Sequence, residues 1–224
     1  MMLVEMNSYA VAGMQLGKYD DAIRFFKEAL QRMQGVSEAE FEQDKTADVV
    51  ASILSIPILT ECQCETIKMQ SPSNLFTFYP RAFQLAYSRP EDATFPQILV
   101  TLLYNLALAT HVKCIDNPAR TTPRYQNSVL KLYQHGMNLA RAFLTPQDTS
   151  ILCVQLALAN NLGFFYSELG HFQETRESVR ELVQLLHQTS QNMISPEDFG
   201  IFFESACIHM DHGAQHLLCL APAA

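Results

Sequence analysis

One stretch of this chain has the side chains for metal chemistry. Cys207, His209, His212, His216 and Cys219 crowd its C-terminal end. On a helix, His209, His212 and His216 would share one face, and Zn²⁺ accepts imidazole and thiolate ligands. Structural zinc sites pair their ligands more tightly, so the leading reading of the cluster is a mixture of surface and core side chains, and no metal is assigned. A metal- or redox-responsive protein built on this cluster is the alternative. Cys62 and Cys64 would share one face of a strand. One intervening residue is too short for the usual redox or zinc pair, so they read as ordinary thiols. Ser71-Pro72, Thr122-Pro123, Thr145-Pro146 and Ser195-Pro196 could take proline-directed phosphate, but helix starts and turns explain the same dipeptides, and capping is favoured at Thr145 and Ser195. The sequence has no phosphate-binding glycine loop, dinucleotide fingerprint, His-Glu-x-x-His or nucleophile elbow. A hydrolase hidden in the insert described below would need a pocket with converging acid and base groups. The expectation is no enzyme and no cofactor.

Bulk properties narrow the partners. The formal net charge is −8. Lys and Arg are scattered singly, without the basic stripe of a nucleic-acid binder or a polybasic run for an anionic membrane. Hydrophobic residues make up 48% and charged residues 17% of 224, a folded composition. No segment approaches about 18 uninterrupted apolar residues. Met1 to Ala12 contains Glu5 and lacks a basic start, unlike a signal peptide. The six Cys have no framework spacing, so reduced thiols in a cytoplasmic or nuclear setting are expected.

The elements that would position such groups are mainly helical. Leu3 to Leu16 and Asp20 to Met33 form a hairpin, with Ala22, Phe26 and Ala29 on one face and Gly17 free to close the first helix. Val49 to Leu59 and Leu75 to Tyr87 read as strands, each carrying a proline (Pro57 and Pro80) that suggests an edge or bulge, joined through Thr66 to Asn74. A helix of about four turns starts at Pro96, followed by another from Arg124 to Phe143. Thr145-Pro146 starts one that runs to Leu169, and Gly170 separates it from His171 to Gln188. Ser195-Pro196-Glu197-Asp198 resembles a helix start, but the residues from Phe199 to Met210 alternate. The lean is to a short strand paired with the aromatic one, before a turn at Asp211-His212-Gly213.

Two segments resemble each other. Leu16-Gly17-Lys18-Tyr19-Asp20-Asp21-Ala22 and Leu169-Gly170-His171-Phe172-Gln173-Glu174-Thr175 both place an aromatic two residues after the glycine and a small residue three later. This pattern resembles the tetratricopeptide repeat. Phe26 and Ala29 fit the first hairpin, and Leu162, Gly163 and Tyr166 the last. The middle pair fits through Tyr104, Asn105, Leu106, Ala107, Val129, Tyr133 and Gly136. The order of blocks, including Ser55-Ile56-Pro57-Ile58 and Phe78-Tyr79-Pro80-Arg81-Ala82-Phe83, is also similar to a group of uncharacterised tetratricopeptide-like proteins of diatoms, which has no function to carry over.

The resemblance implies a mainly α fold: an α-α superhelix of tetratricopeptide-like hairpins with a small inserted antiparallel β element. It would be one domain, with hairpins at 3–33, 96–143 and 146–188, a β-containing insert at about 49–88 and a C-terminal segment at 196–224. It implies a scaffold or adaptor holding a partner's protein or peptide segment in the groove between repeats. Oligomeric state stays open. Some tetratricopeptide co-chaperones grip a C-terminal carboxylate with Lys, Arg and Asn on the first helices of three successive repeats; here only Asn105 matches, and the other places hold Asn7, Val11, Ala157 and Asn161, with no Lys or Arg. Asn105 and Asn161 take matching places on successive first helices. Their amides could bond the backbone of an extended peptide or tie helices together. The exposure of their neighbours Tyr104, Asn160, Phe164 and Gln155 decides between the two.

Overall fold

The computed structural model describes residues 2–34, 50–70, 76–87, 94–143, 149–189 and 193–219. Helix α1 (Leu3–Gln15) and α2 (Tyr19–Gln34) form the first hairpin; β1 (Val50–Pro57), α3 (Glu61–Gln70) and β2 (Arg81–Tyr87) follow. Then come α4 (Phe95–Asp116), a 3-10 turn (Pro118–Arg120), α5 (Pro123–Phe143), α6 (Thr149–Glu168), α7 (Phe172–Gln188) and α8 (Pro196–Cys219). The protein is thus mainly helical with a small two-stranded antiparallel sheet.

The hairpin turns are local chemistry. Gly17 and Gly170 have φ of 70° and 72°, the left-handed geometry that glycine adopts without a Cβ penalty. The Lys18 N–H reaches back to Gly13 O at 2.8 Å and the His171 N–H to Tyr166 O at 2.9 Å, closing α1 and α6 alike. Second helices α2, α5 and α7 bury one face each, through Ala22, Phe26 and Ala29; Val129, Tyr133, Met137 and Ala140; and Thr175, Ser178 and Leu182. The helix α4 is buried nearly all round, the pattern of a core element. It is long and apolar enough to cross a membrane, but 83% of its apolar window is buried within the fold. The hairpins stack in order, with α2 against α4 and α5 against α6. The sheet packs on the first helices, where β2 contacts α1 and α4.

Several local expectations are corrected. The stretch expected as a strand at 199–210 is helical, and so is Asp211-His212-Gly213, because α8 runs from Pro196 to Cys219. The buried residues Asp198, Phe202, Ser205 and Ala206 follow helical spacing, and Ser195 Oγ accepts the Asp198 N–H at 3.1 Å as a cap. The aromatic strand therefore pairs with β1, in register Ser55↔Phe83 and Ile53↔Leu85, with an irregularity between Val50 and Ser52. Pro80 precedes β2 rather than interrupting it. Part of the expected connection at 66–74 is helix α3, so Cys62 and Cys64 lie on a helix, not a strand. Its start is a reciprocal cap: the Thr60 N–H donates to Gln63 Oε1 at 2.9 Å and the Gln63 N–H to Thr60 Oγ1 at 3.3 Å. The helix beginning near Pro96 has 22 residues, longer than four turns. The helix start at Thr145-Pro146 and the dipeptide Ser71-Pro72 lie outside the described residues.

Candidate functional site: an asparagine ladder on a buried strand

In an antiparallel pair, alternate residues of a strand turn their N–H and C=O groups toward the partner strand and away from it. The Ile58 N–H donates to Pro80 O at 3.0 Å, so the even-numbered residues of β2 face β1. The odd-numbered residues point their backbone the other way, into the protein. Buried, those groups must find partners.

Side chains of three first helices supply them. On α6, Asn161 Oδ1 accepts the Tyr79 N–H at 2.9 Å while its Nδ2 donates to Tyr79 O at 3.0 Å. On α4, Asn105 does the same to Phe83, at 2.8 Å and 2.6 Å. On α1, Asn7 Oδ1 accepts the Leu85 N–H at 2.8 Å and its Nδ2 donates to Phe83 O at 3.2 Å. Between them, Tyr104 Oη donates to Arg81 O at 3.1 Å. Asn160 Nδ2 donates to Thr77 O at 2.8 Å, and the Thr77 N–H is accepted by Ser205 Oγ of α8 at 3.0 Å. Residues 77, 79, 81, 83 and 85 are read in turn. The side chains act as a third strand that the sheet does not have.

Asn7, Asn105, Asn160 and Asn161 are each 0% exposed. Tyr104 is also fully buried, Phe164 and Gln155 nearly so. The Phe164 ring lies 5.2 Å from Phe78 and 5.8 Å from His111. The bonds made by Asn105 and Asn161 go to extended backbone, and the backbone is the chain's own. Asn7 completes the set. In the sequence Asn7 stands out only as the occupant of a clamp position; its place on the first helix of the first hairpin is the signal that marks it.

Strand side chains are held as closely as the backbone. A Cβ on Gly163 would lie 2.2 Å from Phe76 Cζ, so that glycine leaves the notch that the ring fills. Phe78 meets His111 edge-on at 5.0 Å, and Phe83 leans on Tyr104 at 5.1 Å. Tyr79 packs on Phe202 at 4.6 Å.

A polar knot anchors the strand to the start of α8. Asp198, 3% exposed, accepts from Tyr79 Oη at 2.8 Å and from Ser195 Oγ at 2.8 Å. Arg81 Nε lies 3.2 Å from Asp198 Oδ1 and Nη1 lies 3.0 Å from Glu197. Arg81 also donates to Ser55 Oγ at 2.8 Å. Burial raises the Tyr79, Tyr104 and Tyr133 hydroxyls well above the ordinary phenol range. Burial likewise pushes the Cys153 thiol up to about 12 and the Cys114 thiol up to about 11. Both are held in the protonated thiol form at neutral pH.

A cavity of about 350 Å³ lies beside Tyr19, Asp20, Lys113 and Tyr125, its Lys113 paired with Asp20. Another of about 220 Å³ lies beside His111, Cys114, Phe165 and Glu168. Among the described residues no group of three or more His, Cys, Asp or Glu is placed to hold a metal. In the C-terminal cluster, the side chains of His209, His212, His216 and Cys219 lie outside that description. No family model, curated protein or solved structure matches this chain.

Proposed function

We propose that this chain is a non-catalytic, tetratricopeptide-like interaction scaffold whose first helices recognise an extended protein segment through its backbone. The observation that carries the reading is the ladder itself. Three asparagines, one on each first helix, each bond a backbone donor and a backbone acceptor of the segment 79–85, at and just before β2. Such contacts are indifferent to side chains and repeat with the period of an extended peptide, which is how strand-adding receptors gain affinity. In the described state β2 is the resident ligand, so a partner must compete with it. A resident segment of the same chain has an effective concentration on the order of millimolar. A partner segment at micromolar concentration therefore starts about a thousandfold behind, and productive binding needs a loosened strand or a multivalent partner.

A random-peptide display library tests this. It would be panned against the full chain, against a Phe83→Leu variant that loosens the resident strand, and against the same variant carrying Asn105→Ala. Peptides enriched by the loosened variant and lost with Asn105→Ala, circular dichroism showing both folded, support the reading. Failure of the loosened, folded variant to enrich any peptide would remove it.

A further inference from the structure

The resident strand also specifies what would replace it. Resting on the scaffold reading, we infer that the groove takes in trans a partner's extended segment of the pattern Phe-x-Phe-Tyr-Pro-Arg-small-Phe-x-Leu, the pattern of residues 76–85.

Each specified position has its own receptor. The first Phe fits the notch that Gly163 leaves open. The second meets His111 and Phe164. The Tyr hydroxyl ends on Asp198 and lies 2.8 Å from Ser55 Oγ; a Phe there would leave a buried carboxylate short of a donor. The Arg meets Asp198 and Glu197, in a chain of net charge −8, so the segment is basic at this point. The third Phe fits against Tyr104, and the small residue and the Leu occupy the 0%-exposed places of Ala82 and Leu85. Pro80 is buried, and its C=O accepts the Ile58 N–H at 3.0 Å. The two x positions are read differently: Thr77 bonds through its backbone and to the exposed Glu204, and Gln84 bonds the half-buried Ser8. Backbone recognition alone would accept any extended chain; these receptors choose among them.

The test uses the full chain with Phe83→Leu and a labelled synthetic peptide of residues 76–87. Binding is read by fluorescence anisotropy and by melting temperature. The peptide should bind, raise the melting temperature of the variant, and do neither after Asn161→Ala. A peptide carrying Arg81→Glu or Tyr79→Ala should bind at least about tenfold more weakly, the effect of losing about 1.4 kcal/mol. Gly163→Ala in the protein should remove its preference for Phe over Ala at the peptide's first position. If library peptides lacking this pattern bind through the asparagines while the 76–87 peptide does not, the pattern is wrong and the scaffold reading stands. If no peptide binds the folded variant, both fall. Should Phe83→Leu not fold, hydrogen exchange on the wild-type chain decides. Millimolar peptide should speed exchange at the Tyr79, Phe83 and Leu85 amides, and unchanged exchange overturns the inference. A strand-exchanged dimer of the peptide-free variant, seen by light scattering, would assign the pattern to a second copy and overturn the assignment to a different partner.

Discussion

Asn161→Ala is the sharpest perturbation of the ladder. It strips both partners from Tyr79: the N–H held at 2.9 Å and the C=O held at 3.0 Å. Tyr79 is 0% exposed, so water cannot substitute without opening the fold. Each orphaned buried group costs about 1–3 kcal/mol, which puts the variant roughly 4 kcal/mol below wild type, a large part of a typical domain's 5–15 kcal/mol. Asn105→Ala orphans only the Phe83 N–H, because Asn7 still donates to Phe83 O at 3.2 Å; its expected cost is about 2 kcal/mol. Asn7→Ala likewise orphans only the Leu85 N–H, since Asn105 still serves Phe83 O. The order should be Asn161 first, then Asn105 and Asn7 close together. Urea unfolding followed by circular dichroism gives the free energies, and native-state hydrogen exchange localises them, with the Tyr79 amide accelerated most in Asn161→Ala. Costs below about 0.5 kcal/mol for Asn161→Ala, the scale of an ordinary surface change, would refute the accounting. So would an Asn7 effect larger than that of Asn161.

Three further outcomes follow from neighbouring contacts. Gly163→Ala places a Cβ 2.2 Å from the Phe76 ring and should cost about 1–3 kcal/mol by overpacking; adding Phe76→Leu should recover part of that loss in the same urea assay. Asp198→Ala leaves the mostly buried Arg81 with the exposed Glu197 as its one ionic partner among the described residues, and should cost about 3–5 kcal/mol, with Asp198→Asn milder. Alkaline pH should unfold the protein early. Cys114 and Cys153 titrate near 11 and 12 when folded but from 9.0 when free, so the unfolded state loses those protons first. Stability is then intact below about pH 9 and falls as pH rises through 11 to 12, by up to about 1.4 kcal/mol per pH unit per thiol. Denaturant midpoints that stay level from pH 8 to pH 11 would contradict this.

Much of the helical framework is legible in the residues because its causes are local. Gly17 and Gly170 end helices through their own φ, and Ala22, Phe26 and Ala29 show a face within two turns. Strand β1 is legible from its β-branched run. Helix α3 is not legible in this way, because the residues from Glu61 to Gln70 carry no clear apolar stripe. At α8 a genuine cap at Ser195 competed with the alternation from Phe199 to Met210, and only burial of Phe202 and Ser205 against the rest of the fold shows which period won.

The ladder divides the same way. The sequence by itself determines that Asn105 and Asn161 occupy equivalent places on two first helices, and that an amide there can both donate and accept. It does not say to whom. Their partners lie 22 and 82 residues away, and that of Asn7 lies 78 away. A backbone N–H looks the same at every position of a sequence, so no residue type marks Tyr79, Phe83 or Leu85 as the recipients. The tertiary structure decides it: it sets the register of β2 against β1, turns alternate backbone groups inward, and leaves the asparagines as the groups within reach of an edge that burial has cut off from water.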